Sequence, residues 1–214
     1  GFNPGSTLVM KAKNDGALAA QVAMNTTISA ATGGLMVFLF RYFLTKKYDV
    51  GGLCNGILAG LVSITAGCGN MECGAAMLTG LIGGILYQCS SMLLQRLKID
   101  DPVDAVPVHG FCGVWGVMAA ALFDWGLGVS HYHGWSSWTC MTNADGTCQE
   151  YIGGTGLAAN VAMVLAVIAW SGGTAAVTFA VLKKWGALRI DEETESIGMD
   201  AKYHSPPKPY AINA

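Results

Sequence analysis

The sequence predicts an all-α protein, a polytopic transmembrane helix bundle, and three observations carry that reading. No Asp, Glu, Lys or Arg occurs in residues 16–40, 50–71, 73–95, 105–123 or 151–182, and each stretch is near or above the roughly 20 residues with which a helix crosses about 30 Å of hydrocarbon. Of the 214 residues, 52% are apolar and 12% charged, whereas an ordinary soluble domain carries roughly 25% charge. Small residues recur at helical spacing inside those stretches, where close backbone approach is how helices associate in lipid. A transmembrane barrel would instead show short segments of alternating hydrophobicity. Five membrane spans are therefore expected.

Residues 1–15 form a turn-rich lead-in punctuated by Asn3-Pro4-Gly5. Span one, about 16–44, sets Asn25, Ser29 and Thr32 on one stripe, because residues three and four apart share a helix face. Polar groups on that stripe must face protein or water rather than lipid. Span two, about 51–67, carries Gly56, Gly60 and Ser63, and span three, about 73–95, carries Ala76, Gly80 and Gly84. Both are small-residue ridges suited to close packing. Span four, about 102–123, has the best-specified start: Asp101 as N-cap, Pro102 at the first helical position and Asp104 in the positively polarised first turn. Asp101 and Asp104 are thus read as structural capping groups. Pro107 lacks an N–H and crowds the carbonyl four residues back, so an opened turn or kink is expected just before His109. Gly110, Gly113 and Gly116 follow at every third residue and should dock on a neighbour. Span five, about 153–185, begins after Gly153-Gly154 and runs through Asn160, Trp170, Ser171 and Gly172-Gly173. The chain then turns hydrophilic, which divides it into a transmembrane domain, 1–190, and a tail, 191–214.

Lysine and arginine favour cytoplasmic loops. Arg41, Lys46 and Lys47 follow span one, Arg96 and Lys98 follow span three, and Lys183, Lys184 and Arg189 follow span five, with only Lys11 and Lys13 on the other side. The tail is accordingly expected in the cytosol and the 124–152 connection outside. Cys140 and Cys148 in that connection either close a small disulfide ring in an oxidising exterior or remain two free thiols. The other cysteines lack metal-ligand spacing and read as small packing residues, so no metal site and no cofactor is expected. A net charge of −2 offers no basic field for nucleic acid, which leaves the lipid bilayer as the surrounding partner. Neither an initiator Met nor a signal-peptide pattern opens the chain, which reads as a piece of a longer protein.

His109 is an ionisable group in a charge-free apolar stretch. At bilayer depth such a group is costly enough to mark a functional pathway, and it faces a pore or a protein partner rather than lipid. The alternative is a histidine simply hydrogen-bonded within the bundle. No nucleophile, base and orienter set accompanies it, so an enzyme is not expected. Trp115 either lines the same path or packs.

The string DDPVDAVPVHGFCGVWG at 100–116 resembles the signature of the ammonium transporter family, the Amt, Mep and Rh proteins. GFNPGS at 1–6, NGILAGLVSITAGC at 55–68, and LRIDEETESIGMD at 188–200 followed by His204 are similar to further family segments, in the family's order. The resemblance implies an inverted-repeat fold of eleven helices, of which this chain supplies the end of helix six and helices seven to eleven, the second repeat. It implies a homotrimer in the plasma membrane that moves ammonium by deprotonation and passage of ammonia through a hydrophobic pore. Inverted repeats share a midplane site, so half of the pore lining would come from the first repeat.

By the same resemblance His109 matches the second of two pore histidines. Ammonium is expensive to desolvate while ammonia is neutral, and an imidazole, ordinarily titrating near about 6.5, can accept or relay the separated proton. Phe2 corresponds to a pore-gate phenylalanine, whose face favours a cation, and Ser6 to a hydroxyl that recruits ammonium at the outer vestibule. The tail matches a regulatory segment that contacts the neighbouring subunit or a cytosolic regulator, although Lys202 stands where several plant-type members carry a regulatory threonine. Two rivals keep the fold and change the role: a non-conducting structural remnant in a larger membrane complex, and an ammonium sensor signalling through the tail.

Overall fold

The computed structural model describes residues 1–8, 11, 13–123 and 155–204, which contain only helices and turns. The helices are α1 (Phe2–Gly5), α2 (Lys13–Thr45), α3 (Val50–Thr65), α4 (Cys73–Arg96), α5 (Cys112–Leu122), α6 (Thr155–Lys184) and α7 (Glu192–Ile197). A π-helical turn, Val106–Phe111, runs directly into α5, and a second, Asp200–His204, follows α7. Asp15–Thr45, Cys73–Arg96 and Gly156–Lys184 are long and apolar enough to cross a membrane, and Val50–Thr65 and Val106–Leu122 are shorter apolar helices. The five expected spans thus correspond to five apolar helices, three of full length. The chain divides into two compact units, Gly1–Val164 and Leu165–Ala214.

In the first unit the polar stripe of α2 is what ties the bundle together. Asn25, fully buried, donates through Nδ2 to the carbonyls of Cys68 (2.9 Å) and Met71 (2.6 Å). One turn on, Ser29 donates to the Gly60 carbonyl at 2.8 Å, and Thr32 reaches the Met77 carbonyl at 3.2 Å. At the far end Arg41 meets Asp49 and Gln88. These pairings run α3 antiparallel to α2 and α4 parallel to it. The donors of Asn25, Ser29 and Thr32 are thus met by backbone carbonyls of the neighbouring helices and of the turn that joins α3 to α4, as lipid surroundings demand.

Glycine sets the spacing. A Cβ at Gly33 would stand 2.7 Å from the Gly56 carbonyl oxygen, and one at Gly84 would stand 2.9 Å from the Gly33 carbonyl oxygen. The Ser29 carbonyl lies under both Gly60 and Gly80, leaving room for a Cβ at neither. Two apolar clusters complete the core. One holds Val37, Ala59, Tyr87, Val108 and Cys112, the other Ile64, Met71, Ala76 and Ala119. Gly116 docks as expected, 2.6 Å from a hypothetical Cβ to the Ser63 carbonyl oxygen, but Gly110 and Gly113 do not, with nearest neighbours at 3.6 and 3.9 Å. Only Gly116 of the three meets backbone. Trp115 packs: its indole N–H donates to the Thr79 carbonyl at 3.0 Å and its ring meets Phe123 edge-on. Cys112 is buried, while Cys54 and Cys89 are exposed rather than packed. Cys140 and Cys148 lie outside the described residues.

The second unit, taken by itself, carries the rest of α6, exposed along nearly its whole length, and α7. Asp191 caps α7, accepting from the Thr194 amide at 2.8 Å and from the Thr194 hydroxyl through both carboxylate oxygens. Lys202 folds back to donate to the Thr194 hydroxyl oxygen at 2.6 Å. The Thr194 hydroxyl and amide, with Lys202, hold the Asp191 carboxyl below the usual carboxylate range.

Candidate functional site

The start of span four differs from the expectation in an informative way. Asp101 does hold a helix start, its two carboxylate oxygens accepting from the amides of Ala105 and Val106, both at 2.8 Å. The helix, however, begins at Ala105, and Pro102 lies in the turn before it. Asp104 precedes the first helical turn instead of standing in it, with φ +56, the left-handed region that Asp tolerates better than most residues. The reason is its side chain. Asp104 accepts from the Tyr87 hydroxyl at 2.6 Å and from the Ser91 hydroxyl at 2.9 Å, turning the carboxylate inward and away from the helix amides. Pro107 therefore falls in the first turn, where a missing N–H has no ladder partner to lose.

The turn expected to open at Pro107 is π-helical. The Cys112 amide donates to the Pro107 carbonyl, five residues back, and such turns concentrate at functional sites. Pro107 and Val108 are buried, Val108 in the cluster with Val37, Ala59 and Tyr87. His109 and Gly110 are exposed. The turn is thus anchored on one side and presents the imidazole on the other, and no hydrogen bond to the ring exists among the described residues.

Beneath this turn lies a polar cluster that reasoning from sequence did not anticipate. Arg41 donates to Asp49 at 2.6 Å, to Gln88 at 2.7 Å and to the Tyr87 hydroxyl at 3.1 Å, and its guanidinium stands 3.9 Å from Asp104. Asn55 also donates to the Tyr87 hydroxyl, at 3.0 Å. Asp49 meanwhile caps α3 through the Gly52 amide, and that hydrogen bond, with Arg41, holds its carboxyl below the usual range. The available signal was a lone Arg at the end of one charge-free stretch and a lone Asp at the start of another, a pairing that apolar surroundings favour.

Phe2 and Ser6 come together at α1, the Ser6 hydroxyl donating to the Phe2 carbonyl at 2.9 Å. Phe2 is 83% exposed. Asn3 fastens this segment to the bundle by donating to the Thr26 hydroxyl at 3.1 Å. Thr26 adjoins Asn25, at the Cys68–Met71 end of α2, whereas the His109 turn packs toward the Arg41 end. Among the described residues no hydrogen bond joins His109 to Phe2 or Ser6.

Apolar helices closed on one another through glycine, with the exposed imidazole of His109 on a π turn, define a polytopic helical membrane protein. The model of the Ammonium Transporter Family matches residues 1–208, and the chain belongs to that family. It is 34% identical to Ammonium transporter 1 member 2 of Oryza sativa subsp. japonica over 214 residues, covering 95% of this chain and 42% of the relative. With Ammonium transporter 1 member 1 of Solanum lycopersicum it shares 32% identity, covering 95% and 42%. Among solved structures, one described as a Sensor Amt Protein superposes with a TM-score of 0.75 at 31% identity, covering 95% of this chain and 45% of that one. Saccharomyces cerevisiae Mep2 gives 0.67 at 25%, covering 86% and 40%. The chain spans about two fifths of the length of the curated relatives it matches. Members of this family are transporters or channels, not enzymes.

Proposed function

We propose that the protein to which this chain belongs moves ammonium across a membrane, and that His109 handles the proton while ammonia passes. The observation that carries the reading is the π turn, which buries Pro107 and Val108 and leaves His109 exposed on an otherwise apolar helix. That open face is where an inverted first repeat would complete a narrow, water-poor passage. Phe2 gates the outer end and Ser6 recruits the cation there. Arg41, Lys46, Lys47, Arg96 and Lys98 gather at one end of the bundle, which supports a cytosolic side there and a cytosolic tail at 191–214 beyond a membrane domain at 1–190. The assembly is a homotrimer in the plasma membrane, with the tail open to a cytosolic regulator. Sensing is not favoured, because the curated relatives named above are transporters.

Uptake of labelled methylammonium with voltage recording, comparing the complete protein with its His109→Ala variant, tests the proposal. Impaired conduction is expected. Unchanged flux and selectivity would remove His109 from the mechanism.

A further inference from the structure

We infer that Tyr87 and Asp104 are positioning residues for His109, setting the place of the imidazole through a hydrogen-bonded cradle at the base of the π turn. The inference rests on the role proposed for His109 and adds residues to it.

The mechanical path is short. Tyr87, fully buried, donates its hydroxyl proton to one oxygen of Asp104, and Ser91 donates to the other. The same aspartate's carbonyl accepts the amide of Val108, the residue before His109, at 3.0 Å. Asp104 therefore joins α4 to the backbone of the turn in a single residue, and its left-handed φ shows the backbone accommodating that side-chain attachment. Tyr87 is fixed in turn, because its oxygen accepts from Asn55 on α3 and from Arg41 on α2. Three helices thus converge on one phenol oxygen, and that oxygen holds the carboxylate.

The turn needs such a fixture. A π turn has a looser hydrogen-bond pattern than an α-helix, so it has fewer internal constraints than the helix it feeds. Among the described residues His109 has no hydrogen-bonded neighbour that directs its ring. Its position is inherited from the backbone, and the backbone is held by Asp101 through two amides and by Asp104 through Tyr87 and Ser91. Of these, the Tyr87 contact is the one that can be removed with least disturbance, because Phe keeps the ring in its apolar cluster.

The test compares Tyr87→Phe, Ser91→Ala and His109→Ala in the complete protein, alone and combined, by methylammonium uptake in vesicles with matched protein content. Tyr87→Phe should lower the maximal rate about tenfold, the effect of losing one buried charge-assisted hydrogen bond. KM should stay unchanged, since recruitment occurs elsewhere. Ser91→Ala should lower it less, and a Tyr87→Phe, His109→Ala double variant should be no slower than His109→Ala alone. Thermal unfolding in detergent shows whether each variant is folded, and Ser91→Ala with its double variant carries the test should Tyr87→Phe fail to fold. An unchanged maximal rate in folded Tyr87→Phe, or losses that multiply with His109→Ala, would overturn the positioning role. Normal uptake by His109→Ala would instead overturn the reading beneath it.

Discussion

Gly33 lies where three helices meet, and replacing it with alanine gives a prediction of definite sign. The added methyl would stand 2.7 Å from the Gly56 carbonyl oxygen, 2.9 Å from the Gly60 Cα and 3.0 Å from the Gly60 nitrogen. The closest of these is about 0.7 Å short of ordinary van der Waals contact. All three atoms are backbone, so no rotamer change relieves the clash and α2 must move off α3. Overpacking of this kind costs about 1–3 kcal/mol, and the upper end applies because the displacement also loosens Gly84 against the Gly33 carbonyl. Alanine returns about 1 kcal/mol of intrinsic helix preference, leaving a net loss of about 2 kcal/mol. Gly74→Ala is the control, since a Cβ there meets nothing within 4 Å and the intrinsic preference should act alone, neutral to stabilising. Reversible unfolding in mixed micelles would measure both. If the two variants shift stability in the same direction by similar amounts, close glycine packing is not what holds α2 to α3.

Asn25→Leu keeps the branching of the side chain but strips the amide that serves the Cys68 and Met71 carbonyls, and it should cost about 2 kcal/mol in the same unfolding assay; a change under about 0.5 kcal/mol would show that those carbonyls find other donors. For the tail, the depressed Asp191 carboxyl means the α7 cap is fully present above the ordinary carboxylate range and lost as pH falls through the lowered value. The Thr194 amide resonance should accordingly hold steady down to about pH 4 and move only below it, whereas a transition at or above the ordinary carboxylate value would contradict the cap.

The spans were legible because lipid enforces a simple rule: no charge, enough length, small residues at the seams. Asn25, Ser29 and Thr32 read correctly as a stripe facing protein for the same reason, and Gly56, Gly60, Gly80 and Gly84 as close-contact positions. Span four was less legible. Asp101, Pro102 and Asp104 satisfy the local grammar of a helix start, but Tyr87 and Ser91 lie 17 and 13 residues from Asp104 and outcompete the helix amides for its carboxylate. Capping rules are local, and this contact is tertiary. Gly110 and Gly113 show the same limit, since a three-residue repeat does not say which of its members meets a partner. The candidate site was half legible: His109 stood out by its isolation, whereas Arg41, Tyr87 and Asn55 became visible only once three helices brought them to one oxygen.

The Ser29 carbonyl sits beneath glycines of two different helices at once. Neither α3 nor α4 can slide along α2 without striking it, so the three behave as one block, and any rocking of the helices must be taken up along seams outside it.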